Sequence, residues 1–274
     1  MPPKDITIIL LLYNSPVEIL KNLRNYKKFP ILILDQSNDH STKKIVQKIL
    51  PNILYYKVTK ENLGFAKAIN FLSKKVKTKY FLCTQPDVRI DLKSIINLRK
   101  IFDKKKDCII SVPKIDTFDN NLNKKSKEKI VSIKTMIGAI FLADKKLFYK
   151  INMFDENFFF YWEDIDLSKR ISQSKFKIYL NKQSTAKHLG GKSSTQSFKN
   201  SLIKVSNFKF GEYLFQYKNS ELRIVKIIRD PILKTLLFLF YLISFQFKKM
   251  NTTIFELLGI LKFFIYIIFN FKLK

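Results

Sequence analysis

Between Ile6 and Asp87 the chain repeats one arrangement four times: a short apolar run leads to a cluster of polar residues. Ile6 to Leu12 runs into Tyr13-Asn14, and Pro30 to Leu34 into Asp35-Gln36-Ser37. Ile53 to Val58 leads to Glu61-Asn62-Leu63-Gly64, and Tyr80 to Thr84 stops at Gln85-Pro86-Asp87. Short, nearly continuous runs rich in Ile and Leu suit strands covered on both faces. Helical spacing over Val17 to Tyr26 and Phe65 to Lys75 gives a β-α-β-α-β-α-β order. Such alternation predicts an α/β fold with a mostly parallel, Rossmann-like sheet flanked by crossover helices, whose ligands sit beyond the carboxyl ends of the strands. One polar cluster after a strand is ordinary turn chemistry. Four on one edge read as a site.

Further along, Leu92 to Phe102 has helical spacing, Cys108 to Val112 reads as a strand, and the polar stretch Asp116 to Lys129 is expected to be a flexible loop over the site. Met136 to Leu142 reads as another strand, with Gly138-Ala139 where a small residue lets backbone approach a ligand. The two cysteines, Cys83 and Cys108, each lie inside an apolar run, which points to reduced core thiols and the cytoplasmic side. No basic region followed by a hydrophobic signal segment precedes the first strand, so secretion is not expected.

Three groups of residues carry candidate chemistry. Asp87 ends an apolar strand, where a carboxylate is costly unless a charge meets it; a hard divalent cation, Mg²⁺ or Mn²⁺, is a natural partner. The competing reading is a turn former or helix cap, a role open also to Asp91 ahead of Leu92. The run Phe158-Phe159-Phe160-Tyr161-Trp162-Glu163-Asp164-Ile165-Asp166 joins aromatics to three acids at the start of a helix. The acids could simply cap that helix. The neighbouring aromatics, including the only Trp, suit stacking on sugar rings and desolvation of a carboxylate, which could then take a proton from a hydroxyl. The third group is His188 with Gly190-Gly191-Lys192-Ser193, a histidine beside backbone free enough to fold close to an anion. His40 lies in a polar turn and is read as structural.

In order and spacing these segments resemble glycosyltransferase family 2, which has the GT-A fold, and within it the bacterial branch that includes rhamnosyltransferases of cell-surface polysaccharide assembly. The resemblance spans about residues 6 to 220. It is carried by Tyr13-Asn14, Leu34 to Asp39, Asn62 to Asn70, Gln85-Pro86-Asp87-Val88, Phe160 to Leu167, and His188 with Gly190-Gly191 and Ser193. It implies an inverting transfer from a nucleotide-sugar donor to a saccharide acceptor. The nucleotide sugar would be held by Tyr13, Asp35, Asn62, Gly64, Lys67, Gln85 and Gly138. Asp87 and His188 would hold Mg²⁺ or Mn²⁺ against the diphosphate. Asp164 would be the general base, with Glu163 orienting and Trp162 binding the acceptor. Where the family commonly has Asn-Pro-Asp, this chain has Gln85-Pro86-Asp87 with no second Asp.

From Asp230 the composition turns apolar, with Ile232 to Phe247 and Ile254 to Phe271 separated by Lys248-Lys249 and followed by Lys272 and Lys274. In the second run Glu256, Gly259, Lys262, Tyr266 and Asn270 form one narrow helical stripe, which predicts a helix lying in a membrane interface with its lysines reaching lipid phosphates. Core helices packed on the catalytic domain, or true spans, are the alternatives. The expected division is a catalytic domain over 1–222 and a C-terminal apolar, membrane-associated helical region over 223–274. A net charge of +29 fits anionic lipid as well as nucleic acid. Because lysines occur in nearly every segment, the reading favours a membrane surface and no dedicated nucleic-acid partner. The expected location is cytoplasmic, peripheral to the inner face of the cell membrane, where a polyprenyl-linked acceptor could be presented. The rival class is a non-catalytic basic protein that binds membrane or nucleic acid.

Overall fold

The computed structural model describes residues 3–37, 40–116, 128–195 and 197–271. Asn38 and Asp39 of the resembling segments, most of the expected 116–129 loop, and Lys272 and Lys274 lie outside the described residues. The chain divides into two compact units: Met1–Glu156 with Asp164–Thr195, and Asn157–Glu163 with Gln196–Lys274. The second unit therefore starts earlier in the chain than the 222/223 division expected from composition.

The first unit is a nine-stranded sheet with helices. Its elements are β1 (Ile6–Leu12), α1 (Val17–Leu20) running into a 3₁₀ turn at Lys21–Tyr26, β2 (Ile31–Asp35), α2 (Ser41–Ile49), β3 (Ile53–Val58), α3 (Phe65–Lys75), β4 (Tyr80–Thr84) and β5 (Val88–Ile90). They continue with α4 (Leu92–Lys104), β6 (Cys108–Ile115), β7 (Ile130–Ile133), β8 (Ile140–Asp144), α5 (Lys145–Lys150), α6 (Glu163–Ser172) and β9 (Lys177–His188). The strand order is β3-β2-β1-β4-β8-β6-β9-β5, with β7 also on β9. The ladders β3-β2, β2-β1, β1-β4 and β6-β9 are parallel, and those of β8 with β4 and with β6 are antiparallel. Six of the nine strands therefore point one way; β8, β5 and β7 oppose them. This is the mostly parallel α/β sheet that the alternation predicts.

The reason lies in the residues. Every side chain of β1, β2 and β4 is buried, as expected of Ile- and Leu-rich strands covered on both faces. On one side, Leu20, Leu23, Tyr26, Val46, Ile95 and Leu98 complete the core. Phe65, Phe81, Phe141, Phe148 and Phe154 meet edge to face, with centroids 5.2 to 6.1 Å apart. Helix starts follow local chemistry too: Asp91 caps α4 by accepting from the Ser94 amide at 2.5 Å, and Asp144 caps α5 through Leu147 at 3.1 Å.

The second unit holds three long helices, α7 (Phe198–Lys218), α8 (Ile224–Ile243) and α9 (Phe247–Phe271). Helix α8 starts before the expected apolar run and continues through Pro231. A Cβ at Gly259 of α9 would come within 2.4 Å of the Ser206 carbonyl, so the approach of α7 and α9 requires a glycine there. Part of the polar stripe of α9 meets the neighbouring helices: Glu256 pairs with Lys234 of α8 at 2.5 Å, Lys262 donates to Ser206 Oγ at 2.9 Å, and Tyr266 meets Phe210 edge to face, while Lys262 and Asn270 also remain exposed. Amphipathic spacing identifies a face but not the side to which it turns; here the stripe found hydrogen-bond partners on α7 and α8.

Candidate active site

The polar clusters do gather on one edge of the first unit, and hydrogen bonds tie them to each other. After β1 the chain turns through Asn14, with φ +46, a conformation that Asn tolerates better than most residues. The Asn14 amide donates to Ser37 Oγ at 2.8 Å, and Ser37 Oγ donates to Asp35 Oδ1 at 2.5 Å. Asp35 is fully buried; its Oδ1 also accepts from the Ser37 amide at 3.1 Å and its Oδ2 from the Tyr56 hydroxyl at 2.6 Å. The carboxylate thus joins the ends of β1 and β2 to β3. Gln36 reaches across to the next cluster: its Oε1 accepts from the Leu63 amide at 2.7 Å. Asn62 Oδ1 accepts from the Gly64 amide at 2.9 Å, and Gly64 opens α3 with φ +79, a conformation that favours glycine. The invested polar groups hold a tight loop at the start of α3, where Lys67 is exposed in the first turn. Tyr13 and Gln85 are half-buried at the ends of β1 and β4.

Asp87, in the short turn between β4 and β5, is fully buried. Its Oδ2 lies 3.5 Å from His188 Nε2 and accepts from the Lys192 amide at 3.2 Å, while its carbonyl accepts from the Leu189 amide. The pairing of β5 with β9 explains the meeting, because Val88 sits opposite His188. The Gly190-Gly191 bend, with φ +57 and +67, then carries the chain back over the first cluster: Ser15 Oγ donates to the Ser193 carbonyl and the Thr195 amide to the Asn14 carbonyl. Asp87 Oδ1 is buried and has no hydrogen-bond partner among the described residues. A buried carboxylate oxygen left in that state is costly, and a cation is the partner that removes the cost.

Those two side chains fit a divalent ion. His188 Nε2 lies 3.5 Å from Oδ2, the oxygen that the Lys192 amide also reaches, so the imidazole and the carboxylate are close enough to share one cation, with Oδ1 the oxygen still without a hydrogen bond among the described residues. Among the described residues no group of three or more His, Cys, Asp or Glu side chains clusters in this way. The protein would thus offer two ligands, leaving the other positions of a Mg²⁺- or Mn²⁺-like ion to phosphate and water oxygens.

Asp164, in the first turn of α6, reaches the same edge. Its Oδ2 accepts from the Gly138 amide at 2.8 Å and its Oδ1 from the Ile165 amide at 2.8 Å. Thr84 of β4 pairs with Ile140 of antiparallel β8, so the residues before Ile140 run beside those after Thr84. Gly138, which holds the Asp164 carboxylate, therefore lies just beyond the end of β8 that pairs with Thr84 at the end of β4. Gly138 precedes β8 rather than sitting inside it, which differs from the strand expected over Met136 to Leu142. Ser168 fastens this region again: Oγ accepts from the Met136 amide at 3.2 Å and donates to the Asp164 carbonyl at 2.6 Å. Burial pushes the Asp164 carboxyl above the usual carboxylate range, although the amides of Gly138 and Ile165 pull against it.

Neighbouring residues of the same segments have structural contacts. Asp166 pairs with Arg170 at 2.8 Å, and Arg170 also donates to the carbonyls of Ile151 and Met153, a structural clamp. Asn70, part of the Asn62 to Asn70 segment, exchanges two hydrogen bonds with the backbone of Phe154 at 2.9 and 3.1 Å. It secures the segment leading to the aromatic run. Trp162 and Glu163 belong to the second unit. There the indole packs on Phe208 and Phe215 and against Gly211, and Glu163 is buried. Tyr161 and Trp162 have φ +70 and +71, a strained pair of consecutive non-glycine residues. The Lys192 amide on Asp87 and the Ser168 link were not legible in the sequence, because a backbone donor has no residue signature and serine is common.

Residues 7–171 match the family described as Glycosyl transferase family 2. The chain belongs to glycosyl transferase family 2. The match covers more than half of the chain and includes Tyr13, Asp35, Asp87 and Asp164, so the protein is a glycosyltransferase. No curated protein matches it. Solved structures show the same GT-A fold at low identity. GalNAc-T7 with UDP, GalNAc and Mn²⁺ has a TM-score of 0.60 and 14% identity over 77% of this chain and 49% of its own. The mannosyltransferase PcManGT from Pyrobaculum calidifontis, in complex with GDP-Man and Mn²⁺, has a TM-score of 0.60 and 11% identity, covering 96% of this chain and 89% of its own. TarS of S. aureus has a TM-score of 0.55 and 15% identity, covering 86% and 43%. The chain thus spans about half of the length of GalNAc-T7 and less than half of TarS.

Proposed function

We propose that the protein transfers a sugar from a nucleotide-sugar donor to a saccharide acceptor, with inversion, in cell-surface polysaccharide assembly. The observation that carries this reading is Asp87, a buried carboxylate with one oxygen unpartnered, beside His188 at the carboxyl edge of a GT-A sheet. UDP, GalNAc and Mn²⁺ accompany one of the similar structures and GDP-Man and Mn²⁺ another, which supports the donor class and a divalent ion. Asp87 and His188 would hold Mg²⁺ or Mn²⁺. When bound, the ion supplies charge to offset that of a departing diphosphate. The chain's own residues do the rest. The loops of Tyr13, Asp35, Asn62 to Lys67 and Gln85 frame the nucleotide, and the Gly190-Gly191 bend closes over it. Asp35 acts through a carboxylate already shared with Ser37 and Tyr56.

Asp164 would accept the proton of the attacking hydroxyl. Its raised affinity for a proton suits a base, and the Gly138 and Ile165 amides hold the carboxylate in one orientation. Attack opposite the leaving diphosphate inverts the anomeric carbon in one displacement. Glu163 would orient the acceptor. The indole of Trp162 packs on Phe208 and Phe215, so its share in acceptor binding would come from its remaining edge. The resemblance to rhamnosyltransferases makes a rhamnosyl donor the first to try. The acceptor would be polyprenyl-linked and presented at the inner face of the cell membrane, which the net charge of +29 favours.

The test is turnover of a nucleotide-sugar panel with Mg²⁺ or Mn²⁺, with the anomeric configuration of the product read by NMR. Turnover that is lost in Asp87→Ala, with an inverted product, supports the reading. No donor binding across the panel, together with salt-sensitive RNA binding, would favour the non-catalytic rival.

A further inference from the structure

The second unit has a buried apolar core at Tyr213, Leu214, Phe255, Ile260 and Phe263, yet the outward faces of two of its helices are apolar as well. Ten of the twelve exposed positions of α8 carry Ile, Val, Leu or Phe; the exceptions are Thr235 and Arg229, and the latter is paired with Asp230 at 2.8 Å. On α9 the exposed Ile254, Leu258, Leu261, Ile265 and Ile268 recur every three or four residues along one face, while the exposed polar positions are Lys248, Lys249, Thr252, Lys262 and Asn270. The turn between the helices exposes Phe245 (77%) and Phe247 (55%) beside Ile243 (78%).

The charges turn inward. Glu212 of α7 binds Lys226 of α8 and, at 2.9 Å, Lys209; Asp230 accepts from the Tyr213 hydroxyl at 3.0 Å and lies 3.6 Å from Lys209; Lys234 pairs with Glu256 at 2.5 Å. In water the hydrophobic effect drives the opposite arrangement, apolar inside and charge outside. A surface whose outward stripes are apolar along both helices, while its ions cancel one another inside, matches a lipid environment.

We propose that the α8–α9 hairpin lies in one leaflet of an anionic bilayer, its apolar stripes in the acyl region and the turn at Phe245 and Phe247 inserted beside Lys248 and Lys249. This rests on the reading of the protein as an enzyme of the membrane face, and it assigns the surface that makes contact. Helix α9 is long and apolar enough to cross a bilayer. A crossing would carry α7 with it, because α7 lies along α9 through Phe198–Phe255, Ser206–Lys262 and Phe210–Tyr266, and α7 exposes Lys199 and Lys218. Half-insertion on one side avoids that. Anionic lipid is favoured because Lys248 and Lys249 are exposed at the turn and the chain carries +29.

The experiment uses the full chain. Flotation is measured with phosphatidylcholine vesicles with and without phosphatidylglycerol, and Phe245→Trp is probed for quenching by lipids brominated near the headgroup or deep in the chain. Binding to phosphatidylglycerol vesicles is expected to fall at least tenfold in Leu236→Glu/Ile243→Glu and several-fold in Lys248→Glu/Lys249→Glu, and the Trp is expected to be quenched by the bromolipids. Sugar-nucleotide hydrolysis, measured without vesicles, is expected to stay unchanged in both double variants. Equal vesicle binding by the Leu236→Glu/Ile243→Glu variant overturns the proposal. So does a stable lipid-free dimer that this variant converts to monomer, since a second copy would then cover the face. Vesicle binding without any donor turnover would sink the enzymatic reading and leave the membrane surface standing.

Discussion

Two buried carboxylates make the contrast between the units plain. Asp230, in the second unit, is 6% exposed and is fully answered: Arg229, Tyr213 and Lys209 surround it. Asp87, in the first, is 0% exposed and keeps one oxygen without a partner. Glu212 and Asp164 repeat the difference. Burial raises the proton affinity of both, but Lys226 and Lys209 outweigh it for Glu212 and hold its carboxyl below the usual range, whereas backbone amides do not do so for Asp164. Where acids are neutralised by lysines they build the fold. Where they are held by amides and left short of charge, they are prepared for something that arrives.

The largest effect that could break this contrast is on chemistry. Asp164→Asn is expected to lower kcat by about 10²–10⁴-fold, the usual contribution of a general base, with donor affinity nearly unchanged. Its stability should change in the direction opposite to its activity. With the folded carboxyl raised above the unfolded one, wild type loses stability as pH rises from about 4 through the folded value. Asn removes that penalty, so the variant should melt higher at pH 7 and no higher below pH ~4. An active Asn variant would refute the assignment.

In the second unit, Gly259→Ala should cost about 1–3 kcal/mol in denaturant unfolding, because the added methyl meets a carbonyl oxygen and not a movable side chain. A wild-type curve would mean that α7 and α9 do not approach as described. Glu212→Gln sharpens the contrast with a smaller change. A depressed carboxyl stabilises above the unfolded value and ceases to as pH falls through the folded one. The variant should therefore lose ~1 kcal/mol at pH 7, as expected of a partly buried pair discounted for solvent screening, and little once the pH is below that window. A loss that is independent of pH would assign the effect to packing. The smallest effect is expected of Ser168→Ala, which removes the link between Met136 and α6: a few-fold lower kcat, an unchanged donor KM and a shifted pH profile. Equal effects on kcat and KM would point to general loosening.

These differences also show what a sequence can disclose. Strands β1 and β2 were legible because burial on both faces writes itself as nearly unbroken Ile and Leu, whereas the partly buried β3 and the aromatic β4 showed only as short apolar runs. The edge that they share follows from topology, so Tyr13, Asp35, Gln85 and Asp87 could be placed together. The meeting of Asp87 with His188 depends on the register of β5 against β9, which no local pattern encodes. The Gly138 amide on Asp164 is backbone chemistry, equally silent. Helix α7 has apolar residues on more than one side and gave no period, and Pro231 inside α8 signals a break where none occurs. The stripe on α9 was visible, but its direction was fixed by Lys234 and Ser206, residues far away in the chain.

The most direct measurement is calorimetric titration of Mn²⁺ into the protein with a nucleoside diphosphate present, for wild type and for Asp87→Asn, with circular dichroism to verify the fold. The expected result is at least a tenfold weaker Mn²⁺ affinity in the folded variant. Equal affinity would mean that the open oxygen of Asp87 answers no cation, and the site would lose its centre.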